Sequence, residues 1–414
     1  MTAIPPYRTI EMKGGTMRIG MMADAYKPYV SGITNYIDLN KRYLEKAGYQ
    51  VYVFTFSEPD HGDNEPRVIR SPGLPLADTG FYLSLRYSRE AKKLLQNMDV
   101  VHVHHPFLSG RLALHYCRPY QIPIVFTNHT RYDLYAQAYL PLLPGEISEG
   151  LLQAYMPSFC EAVNLVVSPS PGMEKILREL DVESHIEIVP NGVELDRFFQ
   201  AEPLSREDYG FAEDDILLIY TGRLGPEKNL DFLLLSFAGI LQAVENVRLL
   251  LVGDGPLKAE LQNLAKDLRI TKEIQFAGLI PYEKMPGFLA MCDAFVTASV
   301  TEVHPLSVIE AMGAGLPVMG IHSPGVGDSV EDGKTGFLST KNLPAFTAKL
   351  TRLCLQNELR QKMGQAARNV SKKFDIELTT QMMVAHYEKL ASGPRYHKPE
   401  WEERLLTILE RFRV

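Results

Sequence analysis

No stretch of this chain is long and apolar enough to span a bilayer; the most apolar segments, such as Val247–Val252, are strand-sized. Cysteine is scarce. Cys117, Cys160, Cys292 and Cys354 lie far apart with no CxxC spacing, which argues against a disulfide framework or a zinc pattern and suits a reducing cytosol. The opening residues lack the charged-then-apolar layout of a secretory leader, so a cytoplasmic protein is expected. Positive charge is not in excess: the net charge of −7 disfavours a general nucleic-acid binder. No Gly-x-Gly-x-x-Gly opens a strand–helix unit, which disfavours a nicotinamide-dependent dehydrogenase. No Asp-x-Asp follows a strand in a persuasive place, and Asp214-Asp215 reads as a loop; no metal ion or other cofactor is therefore expected.

What remains is a chain of 414 residues, 45% hydrophobic and 22% charged, enough for two domains with substantial cores. Short β-branched runs alternate with helical patterns. Strands are predicted at 18–22, 50–56, 100–104, 124–127 and 164–168, and again at 216–221, 247–252, 273–277, 294–298 and 317–320. Helices are predicted between them, at 35–47 and 89–96, and then at 230–243, 257–268 and 306–313. Such alternation implies α/β architecture, with parallel sheets in two doubly wound domains. Residues 1–16 are expected to be a poorly ordered leader, 17–190 a first domain, 191–375 a second, and 376–414 helical segments crossing back toward the first. The break falls near Pro190-Asn191-Gly192, where a strand ends in turn residues.

Ligands of doubly wound sheets bind beyond the carboxyl ends of the strands, and the candidate residues cluster there. Gly222-Arg-Leu-Gly-Pro-Glu-Lys228 follows the strand 216–221. Gly222 permits a tight turn, and Arg223 and Lys228 would neutralise a diphosphate and stabilise its departure. An ordinary loop with solvated charges is equally compatible with the composition. Glu302 and Glu310 are separated by seven residues, with Pro305 at the start of a helix. The bare amides of Leu306, Ser307 and Val308 suit an anion, and Glu310 suits vicinal hydroxyls such as a ribose. On the pair alone, simple capping of the helix by Glu302 is the favoured reading. Gly32 opens another helix after Asp24, close enough for backbone to approach phosphate, with Ser31 as its cap. His102, His104 and His105 end the strand near 100–104, but no nearby Cys or Asp completes a metal site.

Together and in order, these motifs resemble glycosyltransferase family 4, whose members have the GT-B fold of two Rossmann-like domains facing an interdomain cleft. The resemblance rests on Gly-Arg-Leu at 222–224 with Lys228-Asn229, Val-Gly-Asp-Gly-Pro at 252–256, Gly-Leu-Ile at 278–280, the paired glutamates, and Asp-Gly-Lys-Thr-Gly at 332–336. It implies a retaining enzyme that uses a nucleotide-diphosphate sugar. By resemblance, Arg223 and Lys228 bind the diphosphate, Glu302 approaches the transferred sugar, and Glu310 holds the ribose. Gly253 belongs to the donor loop, Leu279 lies in the stretch that reads the nucleobase, and His129 lies near the sugar. Family members commonly have Phe-Gly where this chain has His304-Pro305, and Ser31 replaces the first of two glycines.

Asp24, His105, Arg131 and Asp133 are assigned to the acceptor side, although Arg131 and Asp133 are as readily an internal ion pair. Residues 81–95 suggest an amphipathic helix, with Arg86, Arg89 and Lys93 on one face to meet an anionic membrane. A solvated face explains that charge pattern equally well. Segments 128–132 and 139–144 resemble bacterial glycolipid-forming members, which favours a membrane glycerolipid acceptor and a peripheral position at the inner face of the cytoplasmic membrane. A soluble sugar or polysaccharide acceptor, a nucleotide-sugar epimerase and a catalytically silent sugar-nucleotide binder stay open. The base and sugar, with UDP or GDP the expected carriers, and the oligomeric state are not encoded in these motifs.

Overall fold

The computed structural model describes residues 17–29, 31–58, 65–75, 82–84, 86–132, 134 and 145–393. Asp133, the 1–16 leader and the amphipathic pattern at 401–414 lie outside them. The first sheet contains β1 (Arg18–Met22), β2 (Gln50–Ser57) and β3 (Val68–Pro72). A two-stranded hairpin follows, formed by β4 (Leu74–Pro75) and β5 (Tyr82–Leu83). The first sheet then resumes with β6 (Val100–Val103), β7 (Ile124–Thr127), β8 (Leu165–Ser168) and β9 (Ile186–Ile188). Its order is β3-β2-β1-β6-β7-β8-β9, all parallel.

The second sheet comprises β10 (Ile216–Thr221), β11 (Val247–Val252), β12 (Ile274–Gly278), β13 (Ala294–Val296), β14 (Val318–Ile321) and β15 (Gly336–Ser339). Its order is β12-β11-β10-β13-β14-β15, again parallel. Both are α/β, doubly wound. The strands read as continuous apolar runs because helices cover both faces. In the first sheet, Phe54, Phe126 and Phe159 lie in the core of one face and Ile19, Val51 and Val125 in that of the other. In the second, Leu249 and Phe346 fill one face, and Leu250 and Phe295 the other. Each such side chain contributes about 1.5–3 kcal/mol by leaving water.

The chain order of each sheet reverses between two adjacent strands, β1 and β6 in the first and β10 and β13 in the second. A crevice opens at each reversal, at the carboxyl ends of the strands. These two edges face each other. Ser170, just past β8, donates from its hydroxyl to Val303 O at 3.0 Å, and Gly172 N donates to Asp328 Oδ2 at 2.7 Å.

The chain passes between the halves twice, and the passes are stitched together. Val193 N donates to Phe374 O, and Ile376 N to Val193 O, both at 3.0 Å. From there the helix Ile376–Ala391 packs on the helix Gly32–Lys46, burying Met383, Val384 and Tyr387 in the first half's core. Among the described residues no helix is long and apolar enough to cross a membrane.

One expectation fails. Residues 81–95 are not one helix: β5 pairs with β4, and the helix begins only at Arg89, where Ser88 Oγ accepts from Ala91 N at 3.1 Å. Arg86 therefore precedes the helix that carries Arg89 and Lys93, so the three do not share a helical face.

Candidate active site

The loops after β10 and β11 touch backbone to backbone. A Cβ on Gly253, whose φ is +140°, would lie 1.9 Å from Gly222 O, so only glycine fits. Beyond Gly222 the chain turns through Pro226–Lys228 and brings Lys228 Nζ within 2.5 Å of Glu302 Oε1, in the loop after β13. The pair spans the second sheet's reversal point and is about one-fifth exposed, 20% and 21% for the two side chains. Burial pushes the Glu302 carboxyl up, but the Lys228 charge and the hydrogen bonds from Lys228 and Ser299 hold it below the usual range. Arg223 stands at the rim, 64% exposed and 3.7 Å from Glu227.

Glu302 is not the cap of the next helix. Pro305 occupies the N-cap of Leu306–Gly313 and has no capping group, so among the described residues the amides of Leu306, Ser307 and Val308 have no side-chain capping partner. Glu310 lies one turn in and is buried. Tyr282 donates to its Oε1 at 2.8 Å, and the Arg197 guanidinium lies 5.1 Å from the Tyr282 ring centre. Burial, only partly offset by the Tyr282 bond and the Arg197 charge, pushes Glu310 up to about 7. Sequence reasoning missed Tyr282 and Arg197; the one available signal was that Tyr282 follows Gly278-Leu279-Ile280-Pro281. Leu279 is 79% exposed beside Gly278, whose φ is +73°.

His304 is committed elsewhere. Its Nδ1 accepts from Asn191 N at 3.2 Å, its carbonyl accepts from the Asn191 amide at 3.0 Å, and its ring packs edge-on against Phe374. It holds the crossover between the halves.

The first sheet's reversal point is occupied differently. His105 Nδ1 accepts from Asp24 N at 3.2 Å, and Asp24 Oδ1 accepts from Ser109 N at 2.7 Å and from the Ser109 hydroxyl. Two acceptor-side candidates thus meet, both buried. Ser31 caps the helix Gly32–Lys46 reciprocally with Thr34, and a Cβ on Gly32 would meet nothing within 4 Å. Packing therefore does not require the glycine. Arg131 is buried.

Behind these lies a histidine stack. His102 spends both ring nitrogens, on Tyr387 OH and Thr127 Oγ1, at 2.6 Å each. His104 Nδ1 lies 3.0 Å from His129 Nε2, and the Tyr36 ring meets both of these rings edge-on. Burial, reinforced by neighbouring imidazoles, drives both well below the ordinary histidine range. Among the described residues no group of three or more His, Cys, Asp and Glu has the geometry to hold a metal ion.

Two facing parallel sheets with loops converging on a shared crevice define a GT-B protein, and solved structures bear this out. Sucrose-phosphate synthase from Thermosynechococcus elongatus superposes with a TM-score of 0.73 at 20% identity, over 90% of this chain and 99% of that one. Anabaena Alr3699/HepE in complex with UDP and glucose gives 0.71 at 18% identity, over 90% and 100%. The family models agree: residues 30–197 match Glycosyltransferase Family 4, and residues 202–370 match Glycosyl transferases group 1. Alpha-monoglucosyldiacylglycerol synthase of Acholeplasma laidlawii is 30% identical over 342 residues, 79% of this chain and 85% of that protein. The Streptococcus pneumoniae protein of the same name is 29% identical over 334 residues, 78% and 75%. The chain belongs to glycosyltransferase family 4.

Proposed function

We propose that this protein is a retaining hexosyltransferase that moves a sugar from a nucleotide diphosphate, UDP or GDP, to the hydroxyl of a membrane glycerolipid. The observation that carries the reading is the Lys228–Glu302 pair at a sheet reversal, next to an uncapped helix start. An ammonium and bare amides at one strand mouth suit a departing diphosphate, and a carboxylate beside them suits the hydroxyls of the sugar it leaves. The lipid acceptor draws on the relatives named as glucosyldiacylglycerol synthases.

In this mechanism the acceptor oxygen attacks the anomeric carbon on the face from which the diphosphate leaves. One C–O bond forms as the C–O bond to phosphate breaks, and the acceptor proton passes to the leaving phosphate oxygen. Lys228, Arg223 and the amides of Leu306, Ser307 and Val308 take up the developing negative charge. Glu310, assisted by Tyr282, accepts from ribose hydroxyls, while Gly222, Gly253 and Leu279 line the nucleotide's path and Gly32 admits the phosphates from the opposite wall. Asp24, His105, Arg131 and Asp133 shape the acceptor side. No metal ion is needed. Arg89 and Lys93, one turn apart, together with Arg86 before their helix, meet the anionic headgroups at the inner face of the cytoplasmic membrane.

The test supplies UDP-, GDP- and ADP-glucose with diacylglycerol in anionic vesicles, or with soluble sugars, in excess chelator. Lipid-linked product with the donor's anomeric configuration is expected. An inverted product refutes retention, metal-reversible loss refutes metal independence, and transfer to soluble sugars alone refutes the lipid acceptor.

A further inference from the structure

We infer that His104 is a positioning residue that sets the tautomer of His129, so that the single ring proton of His129 sits on Nδ1 and neither of its ring nitrogens is left as a base.

The argument starts from a hydrogen bond between two nitrogens. His104 Nδ1 and His129 Nε2 are 3.0 Å apart, and such a contact holds only if one nitrogen carries a proton and the other does not. Both rings are strongly disfavoured as cations by burial and by the imidazoles around them, which leaves two neutral arrangements. They differ at the far side of His104, where Nε2 is sealed from solvent and has no hydrogen-bond partner among the described residues. If His129 donated, His104 would have to carry its own proton on Nε2, a buried N–H with no acceptor. If His104 donates, Nε2 keeps only a bare lone pair. Unpaired buried N–H groups are the rarer fault in folded proteins, so the second arrangement holds.

Its consequence passes to the neighbour. His129 Nε2 is then the acceptor, and its single proton sits on Nδ1. His129 is half-buried and sits two residues past the end of β7, whereas His104 is fully enclosed. The His129 ring thus has a donor to offer at Nδ1. It cannot accept a proton at Nδ1 because one is already there.

The surroundings serve this geometry. His102 uses both nitrogens on Tyr387 and Thr127 and leaves none for His104. Its ring lies 4.2 Å from that of His104, and the Tyr36 ring lies 5.6 Å from His104 and 4.6 Å from His129, so both imidazoles are flanked by other rings. The only hydrogen bond of the His104 side chain among the described residues is the one to His129.

The tautomer is a property of the resting protein; that its proton points at the donor sugar or its phosphates rests on the proposed function. The experiment separates the two. Full-length protein labelled with 15N in the histidine rings is examined by NMR at neutral pH without substrate, with His129 assigned through its loss in His129→Gln. A ring protonated at Nδ1 is expected; one protonated at Nε2 overturns the inference. His104→Asn keeps an N–H close to the position of Nδ1 and is expected to preserve the His129 pattern and most of the transfer rate. His104→Leu removes it and is expected to scramble the tautomer and slow transfer about tenfold, the loss of roughly one hydrogen bond. An unchanged His129 spectrum in His104→Leu overturns the role of His104. Absence of transfer by any form of the protein, with the wild-type spectrum as expected, counts against the proposed function alone.

Discussion

The two halves share one architecture and arm it in opposite ways. At the second sheet's reversal, an ion pair one-fifth exposed joins Lys228 to Glu302, with Arg223 at the rim and an uncapped helix start beside it. At the first, the side chains are neutral imidazoles and hydroxyls hydrogen-bonded to one another, all buried except the half-buried His129; the Asp24 carboxylate is held by Ser109. Charge left near water can respond to an anionic ligand, because its partner can be exchanged. A buried neutral network offers an anionic ligand no exchangeable charge and instead fixes the orientation of the ring at its edge, His129. One wall is built to receive charge and the other to aim.

If that contrast holds, the largest effect belongs to Lys228. Lys228→Ala is expected to lower kcat for transfer by about 10²–10³-fold, the usual loss when one preorganised donor to developing charge is removed, with a smaller change in donor KM. Steady-state kinetics at saturating acceptor measure this. A purely elevated KM would move the lysine from transition-state stabilisation to simple binding and blur the contrast.

Glu310 sharpens it, because there a carboxylate has been buried with no cation in direct contact among the described residues. Glu310→Gln is expected to weaken nucleotide binding about 10–100-fold, corresponding to the loss of charge-assisted hydrogen bonds worth about 1.5–3 kcal/mol. The pH dependence has a definite sign. With the folded carboxyl pushed up to about 7 from an ordinary value of 4.5, the folded state holds the proton more tightly than the unfolded chain does. Its contribution to stability is complete below the unfolded value and is lost as pH rises through about 7. Chemical denaturation between pH 5 and 8 should show this decline in the wild-type protein and not in Glu310→Gln.

How much of this was readable beforehand divides along the same line. Continuous apolar runs located the central strands, since burial on both faces forces them. The edge strands were legible unevenly: β12 shows as 273–277 and β9 only by its end near Pro190, whereas β3 (Val-Ile-Arg-Ser-Pro) and β15 (Gly-Phe-Leu-Ser), with two consecutive apolar residues each, are hidden. In the site, Lys228 and Glu302 were both named, yet their contact was not, because they lie 74 residues apart and only the strand order brings them together. A capping role for Glu302 was favoured locally and failed, since the lysine outbids the helix end. Tyr282 carried almost no signal: a tyrosine's value to Glu310 depends on a fold-level neighbour. In sequence His104 offers only the ligand chemistry of an imidazole; the fold is what sets it 3.0 Å from His129. Charged motifs advertise themselves in sequence; neutral networks are recognisable only once folded.

The aiming wall makes its own, smaller demand. Tyr387→Phe strips the His102 ring of the hydroxyl at Nδ1, deep between the helix Ile376–Ala391 and β6. A buried group left unsatisfied costs about 1–3 kcal/mol, so the denaturation midpoint should fall by that equivalent while donor KM stays near wild type. A large loss of donor affinity instead would mean that His102 itself bears on the ligand and does not merely hold the wall. Weaker still is Arg42, whose guanidinium reaches from the helix Gly32–Lys46 to Glu194 just past the crossover, at 3.1 Å. Its side chain is half exposed, and water screens the pair to about 1 kcal/mol or less. Arg42→Ala should barely change the midpoint. A shift of several kcal/mol would show that the ion pair, and not the stitched backbone at Val193 and Ile376, fixes the halves at their junction, and charge would then be structural here as well as receptive.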